Sequence, residues 1–237
     1  MPKGVYVKPQ IYGWQRRVLD MYPDNILCCY MGNETYDGGT AVDSGPNEVH
    51  GVYTGTTPAP EGAVDNHCSR LFSTNIADLR SPAFRDTFNP NLYSMVVWAK
   101  QLTSDNNGQF LLDINMRSAN YIYIYEALGS NTLKVRSQCS LLNEHSMDVP
   151  SGWFALGISS SYSANAFSLY KRVNGVFSLH DTLPVGFCQP PGDSAKISMG
   201  RVLGGAGGGG WSGYLFPLII WTGVALTAQE MEYVMTP

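Results

Sequence analysis

From residue 92 onward, short apolar and β-branched segments alternate with turn residues, and this pattern is what most limits the fold of the chain. Segments of this length and composition are typical of β-strands rather than of long helices. The sharpest signal is Asn174-Gly175, because both residues tolerate the positive φ of a tight hairpin. The predicted strands are Ser94–Lys100, Gln109–Asn115, Tyr121–Leu128, Thr132–Ser137, Trp153–Ser159, Ala166–Val173, Val176–His180, Ala195–Arg201 and Tyr214–Trp221.

The composition agrees with an all-β fold. The 237 residues include 25 Gly and 14 Pro, which favours many turns, and a 44% hydrophobic content excludes disorder. Thr227 followed by Glu230 is a capping box, so one short helix is predicted near the C-terminus. Pro217 lacks a backbone N–H and predicts an edge or a bulge in the last strand. The side chains of Trp98 and Trp153 are expected in the core.

Charge and hydropathy exclude several partners. Lys and Arg number 15 against 19 Asp and Glu, without a basic run, so no nucleic-acid partner is expected. No apolar segment is long enough to span a bilayer, so no membrane partner is expected either. The N-terminus also lacks the apolar core of a signal peptide.

Residues 1–25 are predicted to be a separate arm without a stable helix, since Gly4, Pro9, Gly13 and Pro23 interrupt them. The arm is basic and carries apolar side chains, whereas the remainder of the chain is acidic. We therefore expect the arm to dock on another protein subunit, in a homo-oligomer or on a particle.

Five cysteines are present, at positions 28, 29, 68, 139 and 188. The number is odd, and no C-x-x-C spacing occurs, so neither a disulfide framework nor a zinc site is favoured. All five cysteines are predicted to be reduced thiols.

The strand Tyr121–Leu128 carries an alternation that could bind a ligand. Tyr121, Tyr123 and Tyr125 share one face, and Asp113 and Asn115 on the preceding strand also point away from its apolar side, which is assigned Phe110, Leu112 and Ile114. Aromatic rings beside carboxylate and amide groups suit sugar recognition. The alternative is that the tyrosines only stabilise the sheet through cross-strand contacts. Trp211, beside a glycine-rich segment, is a further tentative glycan contact at the surface.

Catalytic and metal-binding patterns are weak. Glycoside cleavage needs two carboxyl groups about 5 Å apart in a retaining enzyme, and Leu111–Asn115 supplies only Asp113. Further carboxylates lie on other segments, at Glu126, Asp148 and Asp181. No catalytic residue is therefore assigned. Asp43 and Asn47 have the oxygen ligands for a calcium ion, but turn formation explains them equally well, so no cofactor is assigned.

Several motifs occur in an order that resembles a known family. They are Ile26–Tyr30; Val42–Asn47 with Gly51; Ser94–Lys100; Gly152-Trp153 with Leu169–Gly175; and Ile197–Gly200 with Trp211–Tyr214, Ala225–Thr227 and Glu230-Met231. In this order they resemble the LamG-like jelly-roll domain of the concanavalin A-like lectin/glucanase superfamily, over residues 26–237. The resemblance implies a two-sheet antiparallel jelly-roll sandwich.

That family includes glycan-binding, catalytic and purely structural members, so three functions stay open. The first is a non-catalytic structural or adhesion protein of a virion, such as a bacteriophage capsid-decoration, head-fibre or tail-associated protein that assembles in the host cytoplasm and can also bind cell-surface glycans. The second is a carbohydrate-binding module of a secreted or cell-surface protein. The third is a glycoside hydrolase of the same superfamily.

Overall fold

The computed structural model describes residues 13–32, 40–54, 56–58, 70–72, 78–81, 84–103, 108–117, 120–200 and 209–237. Two large β-sheets face each other across a shared core, and two helices are present among the described residues. The helices are α1 (Gly13–Leu19) and α2 (Ala228–Val234), with a 3₁₀ turn at Pro23–Asn25. This architecture confirms the predicted all-β sandwich with a short C-terminal helix.

The strands before residue 92 have at most five residues, whereas all but two of the described strands after it have seven to ten. The short ones are β1 (Ile26–Tyr30), β2 (Thr40–Ala41), β3 (Gly51–Thr54), β4 (Thr57–Pro58), β5 (Arg70–Phe72) and β6 (Asp78–Arg80). They are followed by β7 (Leu92–Gln101), β8 (Gln109–Arg117), β9 (Asn120–Glu126), β10 (Thr132–Gln138), β11 (Leu142–Asp148), β12 (Trp153–Ser161), β13 (Ala166–Val173), β14 (Val176–Leu183), β15 (Lys196–Met199), β16 (Gly209–Gly210) and β17 (Gly213–Thr222). The Asn174-Gly175 hairpin joins β13 to β14 as predicted, with positive φ at both residues.

One sheet, here called the helix-covered sheet, has the order β14-β13-β12-β7-β17-β5-β4, with β1 also paired to β17. The other, the open sheet, has the order β11-β10-β9-β8-β15-β6-β3-β2, with β16 beside β8. Every described pair is antiparallel except β16 with β8. In β17 the pairing with β7 shifts register between Leu215 and Leu218, so Pro217 lies at the predicted irregularity.

The helix-covered sheet is buried on both faces. Along β7, Met95 and Val97 face the core between the sheets, whereas Val96 and Trp98 face a second core beneath the helices. β17 divides its side chains in the same way, which explains why both strands are almost continuously apolar instead of alternating. Trp98 is buried as predicted, and Trp153 is partly buried against the second core.

Helix α2 lies directly against this sheet. A Cβ atom on Gly157 of β12 would stand only 2.4 Å from the sulfur of Met231, so glycine permits the close approach of helix and strand. The helix begins at the predicted capping box, in which Thr227 and Glu230 bond each other's backbone N–H groups. Neither described helix has the length and apolar character needed to cross a lipid bilayer.

Part of the predicted arm contacts the chain's own body. The indole of Trp14 donates to the carbonyl of Val234 at 3.0 Å and meets Trp98 edge-on at 5.0 Å. Further along, Tyr22 donates to Glu230 at 2.6 Å. The expectation that residues 1–25 form no stable helix is therefore wrong at Gly13–Leu19, because packing of Trp14 and Val18 in the second core supports a helix that its local sequence disfavours. Residues 1–12 lie outside the described residues, and their docking on a neighbouring subunit stays a prediction.

The cysteines also differ from the prediction. Cys139, after β10, and Cys188, between β14 and β15, form a disulfide across 49 residues of sequence, so the prediction that all five are reduced is wrong at these two positions. The thiols of Cys28 and Cys29 are buried on opposite faces of β1, in different cores, which prevents them from pairing with each other. Cys68 lies outside the described residues.

Replacing Trp14 with alanine should lower the free energy of unfolding by about 4 kcal/mol, because the substitution empties a buried site that joins α1 to α2 and β7. Urea denaturation followed by circular dichroism measures this loss. The matched control is Arg16→Ala on the exposed face of the same helix, which should change stability by less than about 0.5 kcal/mol. Equal stability of both variants would show that α1 does not belong to the folded body.

Thiol titration in denaturant without reductant should detect three groups, because two of the five cysteines are in a disulfide. The same titration after reduction should detect five. Five groups without reductant would mean that the Cys139–Cys188 bond does not form in the purified protein.

Candidate functional site

The outer face of the open sheet carries the tyrosines that the sequence singles out. Ile122 and Ile124 of β9 point into the core, while Tyr121, Tyr123 and Tyr125 point outward and are half-buried. The strand register places Asn115 of β8 opposite Tyr121 and Asp113 opposite Tyr123. The two faces on which the glycan hypothesis depends therefore coincide in the structure.

Phe110 also belongs to this face, which the sequence did not predict. The pairing of β8 with β9 shifts register between Phe110 and Leu112, and this irregularity turns Phe110 outward, opposite Tyr125. Its ring stacks on Tyr125 at a centroid distance of 5.3 Å and meets Tyr123 edge-on at 5.6 Å. The assignment of Phe110 to the apolar side with Leu112 and Ile114 is wrong, because a strict two-residue alternation does not survive the bulge.

The next two strands add charge beside the rings. Arg136 of β10 lies opposite Tyr123 on one side and Glu144 of β11 on the other. The carboxylate of Glu144 accepts hydrogen bonds from Lys134 at 2.6 Å and from two nitrogens of Arg136 at 2.6 and 2.8 Å. Burial works against ionisation, but these hydrogen bonds hold the pKa of Glu144 below its ordinary value.

Two tyrosine hydroxyls form hydrogen bonds with polar side chains of β10 and β11. Tyr121 donates to Gln138, and Tyr125 donates to Glu144 at 3.3 Å. We call the whole assembly the tyrosine face. Its members are Phe110, Asn115, Tyr121, Tyr123, Tyr125, Lys134, Arg136, Gln138 and Glu144.

The rings of the tyrosine face are not equally available to a ligand. Tyr125 is held between the ring of Phe110 and the guanidinium of Arg136, which stands 5.5 Å from its centroid. Tyr121 and Tyr123 stack on each other at 4.0 Å, so each covers one face of the other. The guanidinium of Arg136 interacts with the hydroxyl of Tyr121 and not with its second face. Among the described residues, no ring other than Tyr123 contacts Tyr121, and its second face is the best surface for stacking.

Two predicted glycan contacts are buried. Asp113 is fully buried beside Tyr123 and the neighbouring β15, and burial together with the nearby carboxylate raises the pKa of Tyr123 to about 12. Trp211 lies in the core between the sheets, so its expected surface position is wrong. The glycan contacts predicted at the tyrosines and Asn115 stay a prediction.

The four carboxylates weighed for catalysis do not come together. Asp113 points outward from the open sheet, whereas Glu126 points into its inner side and accepts a hydrogen bond from Gln101 at 2.7 Å. Asp148 lies on β11, three strands from Asp113, and strand spacing alone separates them by about 14 Å. Asp181 faces His145 at 3.5 Å. The four carboxylates thus lie on four different strands, and the about 14 Å between Asp113 and Asp148 matches neither the about 5 Å of a retaining pair nor the about 6.5–9.5 Å of an inverting pair.

Asp43 and Asn47 organise a turn. The carboxylate of Asp43 accepts backbone N–H groups from Cys29, Gly45 and Val49 at 2.7 to 2.8 Å, and the amide nitrogen of Asn47 donates to the carbonyl of Ile26. The bonds from Gly45 and Val49 stabilise the turn, and those with Cys29 and Ile26 join it to β1, so backbone groups of the chain account for both side chains. Among the residues that the structure describes, no group of three or more His, Cys, Asp or Glu residues could hold a metal ion.

Two surface clefts lie away from the tyrosine face. One, of about 490 Å³, is lined by residues of the Asn47–Val49 and Phe84–Thr87 segments and by Asp193. The other, of about 580 Å³, lies between the edges of the two sheets and includes Asp148, Lys171 and His180. Neither brings together a pair of carboxylates from the four weighed for catalysis.

No protein-family model matches this sequence, and no curated protein matches it. Solved structures share its fold. Domain 4 of AbnA, a GH43 extracellular arabinanase from Geobacillus stearothermophilus, solved in complex with arabinotriose, has a TM-score of 0.65 at 18% identity, with 90% of this chain and 98% of that chain covered. Family membership in the LamG-like group therefore stays a prediction, while the sandwich fold is shown.

Botulinum neurotoxin structures are also similar. The type C neurotoxin, from a study of its interaction with two ganglioside molecules, has a TM-score of 0.68 at 11% identity, over 92% of this chain. The serotype D binding domain has a TM-score of 0.68 at 10% identity, over 90% of this chain. The present chain spans about half of each neurotoxin chain, 52% in both cases. At such identities the likeness concerns the fold alone.

Replacing Glu144 with glutamine should destabilise the protein by about 1–2 kcal/mol near pH 7, because Lys134 and Arg136 lose their charged acceptor. The folded-state pKa of Glu144 is lowered, so its stabilisation is present above the ordinary value of 4.5 and is lost as the pH falls through the folded-state pKa. The difference in free energy of unfolding between the wild type and the variant should therefore decrease as the pH is lowered. Urea denaturation from pH 7 to pH 3 measures it, with Glu232→Gln on the exposed side of α2 as the control. A difference that does not depend on pH would contradict the ion-pair assignment.

Proposed function

We propose that this protein is a non-catalytic glycan-binding β-sandwich that binds its ligand on the tyrosine face. The observation that carries the proposal is the row of four aromatic rings beside a hydrogen-bonded charge cluster, on the side of the open sheet that faces solvent. Sugars have apolar C–H faces and a rim of hydroxyl groups. A site that combines rings with donors and acceptors is complementary to both.

The tyrosine face is ordered before any ligand arrives. The hydroxyls of Tyr121 and Tyr125 are held by Gln138 and Glu144, and Arg136 is held by two hydrogen bonds to Glu144. Side chains that are already fixed lose little rotamer entropy on binding, which favours affinity for a weakly binding ligand such as a sugar. Glu144 supplies acceptors, Arg136 and Asn115 supply donors, and the outer face of Tyr121 supplies the stacking surface.

The competing interpretation gives the rings a purely structural role. Cross-strand aromatic contacts stabilise a sheet by about 0.2–1 kcal/mol each without any ligand. The two roles make different demands on Tyr121. A structural role needs the face that contacts Tyr123, whereas glycan binding also needs the second face and the adjacent amides.

The structural neighbours support glycan binding as the function to test first. The arabinanase domain was solved with arabinotriose, and the type C neurotoxin structure concerns interaction with gangliosides. The low identities prevent the transfer of any particular site. The proposed site therefore depends on the tyrosine face of this chain and not on theirs.

The biological setting is a further proposal with two forms. One is a structural or adhesion protein of a virion, such as a bacteriophage capsid-decoration, head-fibre or tail-associated protein, supported by the family resemblance of the sequence. The other is a carbohydrate-binding module of a secreted or cell-surface protein, supported by the Cys139–Cys188 disulfide, since disulfides persist in oxidising compartments. Co-sedimentation of the chain with purified particles would favour the first, and its recovery within a larger secreted polypeptide would favour the second.

Replacing Tyr121 with alanine should weaken binding to the best ligand of a glycan array by about fivefold, the loss expected for one stacked ring. The array should include arabino-oligosaccharides and gangliosides, and calorimetry with the strongest ligand measures the affinity. Tyr233→Ala, at an exposed tyrosine on α2 outside the tyrosine face, is the matched control and should bind as the wild type does.

Thermal unfolding of both variants separates the two interpretations. A Tyr121→Ala protein that is less stable but keeps full glycan affinity would assign the ring a structural role. Failure of the wild type to bind any glycan on the array would contradict the proposed function itself.

A further inference from the structure

Four large apolar side chains are exposed together at one end of the sandwich. Leu141 and Leu142, where β10 turns into β11, are 43% and 54% exposed, and Tyr162, between β12 and β13, is 48% exposed. Phe187, on the connection from β14 to β15, is 47% exposed. We call these four residues the apolar tip. They come from three separate loops, and burial in the fold accounts for none of them.

The loops of the apolar tip are firmly held. The Cys139–Cys188 disulfide joins two of them, and the N–H of Ser140 donates to the carbonyl of Phe187 at 3.1 Å. The rings of Tyr162 and Phe187 meet edge-on at 5.5 Å. Asn91 also exchanges two hydrogen bonds with the backbone of Cys188, both of 2.8 Å. The disulfide and these hydrogen bonds therefore fix the backbone that carries the exposed side chains.

Cations border the apolar tip. Arg117 ends β8 and donates to Gln189, two residues beyond Phe187, and exposed Lys196 lies opposite Asn115 near the same end of β8. Asp193, on the same connection, is in an ion pair with Arg85 at 2.5 Å. Arg85 also pairs with Asp86 at 2.7 Å, so this cluster adds no positive charge. Although the whole chain has a formal net charge of −4, Arg117 and Lys196 give the apolar tip a basic border.

We infer that the apolar tip docks on the surface of a membrane that contains anionic phospholipids. Side chains that project from separate loops suit a fluid apolar medium, which needs no matching shape. The basic border complements the lipid phosphates and carboxylates. Side chains of Tyr, Phe and Leu next to Arg and Lys are typical of protein surfaces that bind at the membrane interface, between the headgroups and the acyl chains. This inference goes beyond the proposed glycan binding.

The position of Leu142 links the apolar tip to the tyrosine face. Leu142 lies opposite Gln138, which in turn lies opposite Tyr121, so the three form one row across the open sheet. A membrane that contacts the tip would therefore lie beside the tyrosine face. The sequence did not predict a membrane partner, because the four apolar side chains meet only in the folded chain.

Flotation with lipid vesicles tests the inference. The probes are phosphatidylcholine vesicles with and without phosphatidylserine, which carry no sugar headgroups, so the result does not depend on glycan binding. The wild type should float with the anionic vesicles and much less with the neutral ones. The double variant Leu142→Ser/Phe187→Ser should reduce the bound fraction about tenfold.

The matched control is Val176→Ser/Leu179→Ser on β14, outside the tip, where both side chains are at least as exposed, at 68% and 53%. This control should bind vesicles as the wild type does. A third variant, Arg117→Gln/Lys196→Gln, should lose binding to the anionic vesicles while keeping its thermal stability.

Three outcomes would overturn the inference. The first is a wild type that stays unbound with both kinds of vesicle, and the second is a control that loses binding as much as the tip variant does. The third is a wild type that light scattering shows to be a dimer, with a monomeric tip variant and no vesicle binding, which would assign the tip to contact between two copies of the chain. Thermal unfolding of each variant shows whether a lost interaction follows from a lost fold.

Discussion

Burial of the helix-covered sheet on both faces is the constraint from which the rest of the structure follows. β7 and β17 send alternate side chains into the core between the sheets and into the core beneath α1 and α2. Without the helices, Trp98, Ile219 and Trp221 would lie in water. The second core therefore requires both the α2 segment and the α1 segment, and the hydrogen bond from Trp14 to Val234 joins the two ends of the chain.

This arrangement also limits where the protein can bind a ligand. The inner face of each sheet is in the core, and α1 and α2 pack on the outer face of the helix-covered sheet. Neither of these helices packs on the outer face of the open sheet, so its side chains there are available to a ligand. The tyrosine face lies there, on four adjacent strands from β8 to β11. Its ion pairs and ring contacts join adjacent strands and also fix the side chains to which the proposed function assigns glycan binding. Under that proposal, stability and recognition depend on the same side chains.

Much of the tyrosine face could be predicted because alternation along a strand is a local property. The outward direction of Tyr121, Tyr123 and Tyr125 follows from the period of two. Their coincidence with Asp113 and Asn115 depends on the pairing of β8 with β9 and was only a condition of the glycan hypothesis. The outward position of Phe110 could not be predicted, because a bulge breaks that period. The burial of Asp113 could not be predicted either, since it depends on β15, which is more than 80 residues away in sequence. The roles of Arg136 and Glu144 depended on the pairing of β10 with β11.

The sequence by itself determined the strands after residue 92 other than β11 and β16, the Asn174-Gly175 hairpin, the capping box of α2 and the alternation of β9. Each of these depends on residues a few positions apart. Only the tertiary structure decided that Trp211 is buried, that Cys139 meets Cys188, that α1 forms and that four apolar side chains gather at one end. Each of these depends on contacts between distant parts of the chain. Local propensity carries no information about such contacts, because the free energy that favours them comes from packing and burial in the complete fold.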